Sequence, residues 1–321
     1  MTPFTSSRAD SVIAQGELKL IAGIRRWLGS SSPQSPFGIG DDCAVLPPSK
    51  KSQLVTTDPV IYGRHFDEKV PPSAVGAQLL KRNLSDIAAM GGKPVAAVIS
   101  LALAPNTSVA WLRKFYLGLA DCARRYEVKI VGGDITEAPA GFVGAFLTLQ
   151  GEATGRRVLT RTGARLGDRI YVTGSLGGSL LGHHHRFNPR LAEGAWLAGR
   201  KEVRAMMDVS DGLAKDLAAL TPEKLAPALH ARAIPISAAA RRTARQTNAS
   251  PLHHALCDGE DYELLFVTRA GADQTRFERD WRKRFPKIKL SLLGRFVAKN
   301  RLPAGALRLA EFHGYEHLHQ D

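Results

Sequence analysis

The feature that most constrains this chain is a repeated ending: apolar runs close, again and again, on a small residue and a carboxylate. Gly38-Ile39-Gly40-Asp41-Asp42 is the first, followed by Thr56-Thr57-Asp58, Asn83-Leu84-Ser85-Asp86, Gly132-Gly133-Asp134, Asp208-Val209-Ser210-Asp211-Gly212 and Asp258-Gly259-Glu260-Asp261. One acidic turn says little, because Asp and Gly are ordinary turn residues. A series of them, each closing an apolar segment, predicts that many element ends converge on one acidic site. Crowded carboxylates repel one another unless a cation lies between them, and hard divalent ions such as Mg2+ take oxygen ligands of this kind. The first expectation is therefore a metal cluster, and the second a phosphate ligand bridging it.

The periodicity places these carboxylates on elements. Residues 17 to 28 have Leu18, Ile21, Ile24 and Leu28 near helical spacing, with Gly29 as the stop. Short strands are expected at 44–46 and 54–57, the second delivering Asp58, which Pro59 biases toward extended geometry. A helix opening at Pro71-Pro72-Ser73 and closing at Gly91-Gly92 sets Val75, Leu79, Asn83, Asp86 and Met90 on one stripe, so Asp86 faces the way the apolar side chains face. Further strands are expected at 95–103, at 128–131 ending on Gly132-Gly133-Asp134, and at 141–152, with a helix over 109–126 between them. This alternation predicts a first α/β domain over residues 1–150, and residues 151–321 form a second. The second reads as a strand near 169–173, a helix over 213–220, a strand over 262–267 and short strands at 291–296 and 307–309.

Composition excludes several classes. A chain of 321 residues, 44% hydrophobic and 23% charged, reads as a soluble globular protein with room for two cores. No apolar run reaches the roughly 18 residues of a membrane span, and the opening residues lack the apolar core of a secretory leader, so the expected location is the cytoplasm. Cys43, Cys122 and Cys257 are far apart and contain no CxxC pair, which argues against a disulfide framework and a zinc site. The net charge of +14 invites a nucleic-acid reading. No aromatic interleaving accompanies the basic residues, so a solvated basic surface is favoured and no nucleic-acid partner is expected. The triplet His183-His184-His185 cannot turn all its rings toward one ion in a regular element and is read as structural.

No GxxxxGK[ST], GxGxxG or GxSxG sequence occurs. A nucleotide-using enzyme without a P-loop has to hold polyphosphate differently, and several Mg2+ ions fixed by separate aspartates would do so. Glycines beside those aspartates let the backbone approach a ligand closely.

Gly38-Ile39-Gly40-Asp41-Asp42-Cys43-Ala44, Thr56-Thr57-Asp58 with Gly63-Arg64-His65-Phe66, Asn83 to Gly91, Gly132-Gly133-Asp134, Leu159-Thr160-Arg161-Thr162-Gly163, Val209 to Leu213 and Gly259 to Leu264, in this order and spacing, strongly resemble the thiamine-monophosphate kinase family. That family is grouped with aminoimidazole-ribonucleotide synthetase, selenophosphate synthetase and hydrogenase-maturation ATP-binding proteins. The resemblance implies a mixed α/β, two-domain fold of the aminoimidazole-ribonucleotide synthetase kind, with an N-terminal sheet pairing across a homodimer. It implies Mg2+ ligands at Asp42, Thr57, Asp58, Asp86, Asp134, Asp208 and Asp211, with Thr56 contributing through its backbone or hydroxyl. Asp58 and Asp211 are those whose loss should abolish phosphoryl transfer. Gly133, Arg161 and Ser210 would hold ATP phosphates and Tyr116 would lie against the nucleotide. His65 and Glu260 would contact thiamine monophosphate, and Phe312 or Tyr315 would supply an aromatic contact to it, because the family's closing aromatic is here Leu318. The implied reaction moves the γ-phosphoryl of ATP to thiamine monophosphate. The alternatives are another ATP-using synthetase of the same superfamily, or a basic nucleic-acid-binding protein whose acidic turns are only structural.

Overall fold

A computed structural model describes residues 1–40, 43–155 and 157–315, and the chain divides into two units. Met1–Ile87 with Lys93–Ala153 form the first, and Ala88–Gly92 with the chain from Thr154 onward form the second.

In the first unit the helices α1 (Val12–Gln15), α2 (Glu17–Leu28), α3 (Pro72–Ala89) and α4 (Val109–Arg125) accompany the strands β1 (Gln53–Ile61), β2 (Gly92–Leu103), β3 (Lys129–Glu137) and β4 (Val143–Ala153). The sheet order is β1-β4-β2-β3. β1 runs antiparallel to β4, and β2 parallel to β3 through the crossover helix α4. Ser108 caps α4 by accepting the N–H of Trp111 at 3.1 Å. Helices α3 and α4 approach closely enough that a β-carbon at Gly118 would sit 2.0 Å from the Ser73 carbonyl oxygen, so only glycine fits there. Leu79, Leu80 and Leu84 of α3 and Leu112, Phe115 and Leu119 of α4 are buried on one side of the sheet. Its other side stays open, with Val55 71%, Val98 39% and Phe146 38% exposed.

The second unit holds β5 (Arg169–Thr173), α5 (His183–Arg186), α6 (Leu191–Ala198), β6 (Val203–Asp208), α7 (Leu213–Leu220), β7 (Leu225–Leu229), α8 (Ala238–Thr243), α9 (Pro251–Cys257), β8 (Leu264–Thr268), α10 (Gln274–Arg284) and β9 (Leu290–Ala298). Its five strands pair antiparallel in the order β6-β8-β5-β9-β7. Side chains alternate between two cores, as the pleat requires. Ile170, Val172, Ala205, Met207, Leu265 and Val267 join Leu213, Leu217 and Leu256 in one. Tyr171, Met206, Leu264 and Phe266 join Leu197, Phe277 and Trp281 in the other. The sheet is therefore covered on both faces, which explains the near-continuous apolar letters of β8.

Four expectations change. Residues 44–46 form no strand; the Val45 N–H is taken by the Pro36 carbonyl at 2.7 Å instead of a ladder partner. Residues 307–309 are likewise no strand: Leu307 and Leu309 pack on the core, and a short 3-10 turn runs over Leu309–Glu311. Gly132-Gly133-Asp134 does not end its strand but lies inside β3, and Thr56-Thr57-Asp58 lies inside β1. Pro59 is tolerated in β1 because β1 is an edge strand.

Candidate nucleotide and substrate site

In the first unit, the pleat of β1 turns Leu54, Thr56, Asp58 and Val60 one way, and both polar members meet α3. The Thr56 hydroxyl donates to Asp86 Oδ2 at 2.5 Å, and Arg82 Nη2 lies 3.3 Å from Asp58 Oδ1. Arg82 and Asp86 are one helical turn apart, so a single face of α3 answers two successive inward positions of β1. Thr57 takes the opposite face of the sheet, where its hydroxyl donates to the Leu147 carbonyl at 3.1 Å. Asp42 lies outside the described residues.

A cleft of about 430 Å³ opens between α2, α4 and β3. Ile21, Ile24 and Leu28 line one wall, Tyr116 the floor, and Gly133 and Asp134 the rim. Burial raises the Tyr116 phenol well above its ordinary range, so it stays neutral. At Gly133 a β-carbon would come 2.1 Å from the Ile99 carbonyl oxygen, so the strand presents bare backbone to the cleft. An apolar wall facing bare backbone suits a planar ring, and the carboxylate at the rim would tolerate an anionic tail only with a cation between the two. His65 accepts the Ile61 N–H on Nδ1 at 3.1 Å, which puts the proton of the neutral ring on Nε2.

In the second unit, Asp208 closes β6 and is buried. Ser210 and Asp211 follow, and both their N–H groups donate to one oxygen, Asp216 Oδ2, at 3.0 Å each. Burial first, and the carboxylates of Asp208 and Asp211 after it, push Asp216 up to about 8. Lys215 Nζ reaches both Asp211 Oδ2 at 2.9 Å and the Tyr315 carbonyl at 2.7 Å. The Tyr315 N–H donates to the Asp211 carbonyl at 2.9 Å, so the C-terminal segment is tied to the acidic turn. Glu260 joins the same turn, its N–H donating to the Ser210 carbonyl at 2.7 Å. Thus Asp208, Ser210, Asp211, Glu260 and Tyr315 are brought together within this unit. Phe312 is half-buried on the core beside His253, and Arg161 is exposed on a segment joined to β6 through Met206 N–H to the Thr160 carbonyl at 2.9 Å.

Among the described residues, no three His, Cys, Asp or Glu side chains are grouped so as to hold a metal ion by themselves. The histidine triplet has other partners: His183 Nε2 lies 3.1 Å from the Asp261 carbonyl, and His184 Nδ1 lies 3.0 Å from the Ser179 carbonyl. Sequence reasoning missed Arg82, Lys215 and Asp216. Arg82 and Lys215 each stand four residues from a singled-out carboxylate on a helical stretch, which is the signal that could have found them.

A family model described as AIR synthase related protein, N-terminal domain, matches residues 40–156. A thiamine-monophosphate kinase from Rhodopirellula baltica is 39% identical over 244 residues, 73% of this chain and 76% of that protein. The chain belongs to the thiamine-monophosphate kinase family. Its fold is that of the family's solved structures: the thiamine-monophosphate kinase of Stenotrophomonas maltophilia K279a superposes with a TM-score of 0.73 at 28% identity, covering 86% of this chain and 93% of that one. A structure of AaThiL complexed with AMPPCP and TMP superposes with a TM-score of 0.67 at 29% identity, covering 96% of this chain and 98% of that one.

Proposed function

We propose that the protein transfers the γ-phosphoryl group of ATP to thiamine monophosphate, giving thiamine diphosphate and ADP in thiamine diphosphate biosynthesis. The observation that carries this reading is the cleft over Tyr116 and Gly133, in a fold shared along nearly its whole length with a family member that binds AMPPCP and TMP. The nucleotide's base would lie over Tyr116 and the apolar face of α2. Its phosphates would run to the bare backbone of Gly133, where no side chain blocks their approach, and would be gripped by Arg161 and the Ser210 hydroxyl.

The residues fit Mg2+. The donor set is oxygen only, as a hard cation demands, and Asp208 and Asp211 stand close enough to Asp216 to add to the rise that burial gives its pKa. Asp42, Thr56, Thr57, Asp58, Asp86, Asp134, Asp208 and Asp211 would hold the ions, Thr57 through its main chain because its hydroxyl takes the other face of the sheet, and the ions' chemistry is to neutralise charge on the phosphate oxygens. Asp58 and Asp211 are the two whose loss should abolish transfer. For thiamine monophosphate, His65 offers an Nε2–H to the phosphate, Glu260 offers a counter-charge to the thiazolium, and Phe312 or Tyr315 supplies an aromatic face. The attacking group is an already ionised phosphate oxygen, so the chain has no proton to remove and needs no strong base.

The open face of the first sheet, with Val55, Val98 and Phe146, supports a homodimer built by pairing that face with a second copy. Residues 1–150 form the ATP- and Mg2+-binding domain and residues 151–321 the second domain in this reading. No helix among the described residues is long and apolar enough to cross a membrane, and a cytoplasmic location, where ATP is at hand, belongs to this reading. A coupled assay for ADP with ATP and Mg2+, run with and without thiamine monophosphate, tests the proposal. ADP release that depends on thiamine monophosphate is expected, and turnover indifferent to it points to another acceptor.

A further inference from the structure

The turn that carries Glu260 is held in a backbone shape that side-chain-bearing residues avoid. Glu260 and Tyr262 both have φ of 52°, in the left-handed region where a β-carbon is crowded. Such a conformation persists only where the surroundings over-determine it. On one side the N–H groups of Glu260 and Tyr262 donate to the carbonyls of Ser210 and Val209 at 2.7 and 2.8 Å. On the other, a single short segment grips three consecutive residues. His183 Nε2 donates to the Asp261 carbonyl at 3.1 Å, Phe187 stacks on the Tyr262 ring at a centroid distance of 4.0 Å and 17°, and Arg190 forks onto Glu263 with Nε–Oε2 2.7 Å and Nη2–Oε1 2.5 Å. Glu263 is 3% exposed and takes a further hydrogen bond from the Thr173 hydroxyl at 2.5 Å, so the carboxylate end of the pair is buried and geometrically fixed. Tyr262 completes the chain of contacts, its hydroxyl lying 3.4 Å from Glu260 Oε1.

The segment from His183 to Arg190 is otherwise unexplained by phosphoryl transfer, and none of its three grips reaches Glu260 itself. They hold the residues that follow it. We propose that Arg190 and Phe187 are positioning residues for thiamine monophosphate, acting through Glu263 and Tyr262 to hold the Glu260 carboxylate where the substrate's cation lies. This rests on the reading of Glu260 as the counter-charge of that cation.

The conservative variants R190K and F187L separate positioning from folding. R190K keeps the charge and loses the planar fork; F187L keeps an apolar side chain and loses the stacked ring. Each should raise KM for thiamine monophosphate roughly tenfold, since small misplacements of a binding group are costly, while KM for ATP moves by less than about twofold. The double variant R190K/E260Q should be no worse than E260Q alone, because both changes remove one interaction. A purely structural role would raise both KM values together and would multiply with E260Q, and either result overturns the proposal. If R190K does not fold, F187L and F187L/E260Q carry the same comparison. A wild-type protein that makes no thiamine diphosphate overturns the functional reading and this inference with it, whereas an active wild type with unmoved KM values in the variants overturns this inference alone.

Discussion

Replacing Asp216 separates what its shape contributes from what its charge contributes. One oxygen of this residue, which is 4% exposed, accepts the N–H groups of both Ser210 and Asp211 at 3.0 Å. In D216A neither N–H finds a substitute, and each partly buried donor left without an acceptor costs about 1–3 kcal/mol, so the variant should lose about 2–6 kcal/mol. With about 2–4 °C per kcal/mol for a unit of this size, its thermal midpoint should fall by about 4–24 °C. D216N keeps a carbonyl oxygen in the same place and removes an ionisation that burial and the neighbouring Asp208 and Asp211 already disfavour. Its midpoint should stay within about 3 °C of the parent or rise, given that an isosteric swap retains both hydrogen bonds. Differential scanning calorimetry of the full chain reads both numbers. Activity should follow, since the Ser210 and Asp211 backbone carries the proposed phosphate and metal contacts: D216N active, D216A largely inactive even below its melting point. A D216N midpoint that falls as far as that of D216A refutes the reasoning, because it would mean that the carboxylate's charge, and not its acceptor geometry, shapes the turn.

Glu193, 9% exposed on α6, has its pKa raised by burial, with Arg190 opposing and Glu263 adding to the shift. A folded-state value above the unfolded one gives stability that is complete below the unfolded pKa and is lost as pH rises through the folded pKa; E193Q should therefore raise the thermal midpoint at pH 8 and leave it unchanged at pH 4, and an equal shift at both would discredit the burial argument. The paired change V55D/V98D places charge on the open sheet face without touching the core. If that face joins two copies, as proposed, the change should turn a dimer mass in sedimentation into a monomer mass, and a variant that sediments as a dimer would show that another surface joins the copies.

How far the letters foretold the fold depends on whether the information was local. Helices α2 and α4 were legible because their apolar stripes fall within one segment, α2 with Gly29 as its stop and α4 with Ser108 as its cap. The glycines of Gly132-Gly133 misled, because a strand interior admits glycine where a neighbouring backbone comes close, and that neighbour, Ile99, is more than thirty positions away. Residues 44–46 and 307–309 misled for a related reason: apolar letters report burial or contact, while a strand needs a partner to bond with. The site divides along the same line. Carboxylates stand out in a sequence, but the donors facing them do not, since Arg190 and Glu263 lie 73 residues apart and Arg82 and Lys215 look like any solvated helix cation. Those hidden donors bear on how the site would load. Arg82 already pairs with Asp58, Thr56 with Asp86 and Lys215 with Asp211, so a cation held by any of these carboxylates would share it with a hydroxyl or a cationic side chain. Asp134, exposed on the rim of the cleft, has no such partner among the described residues.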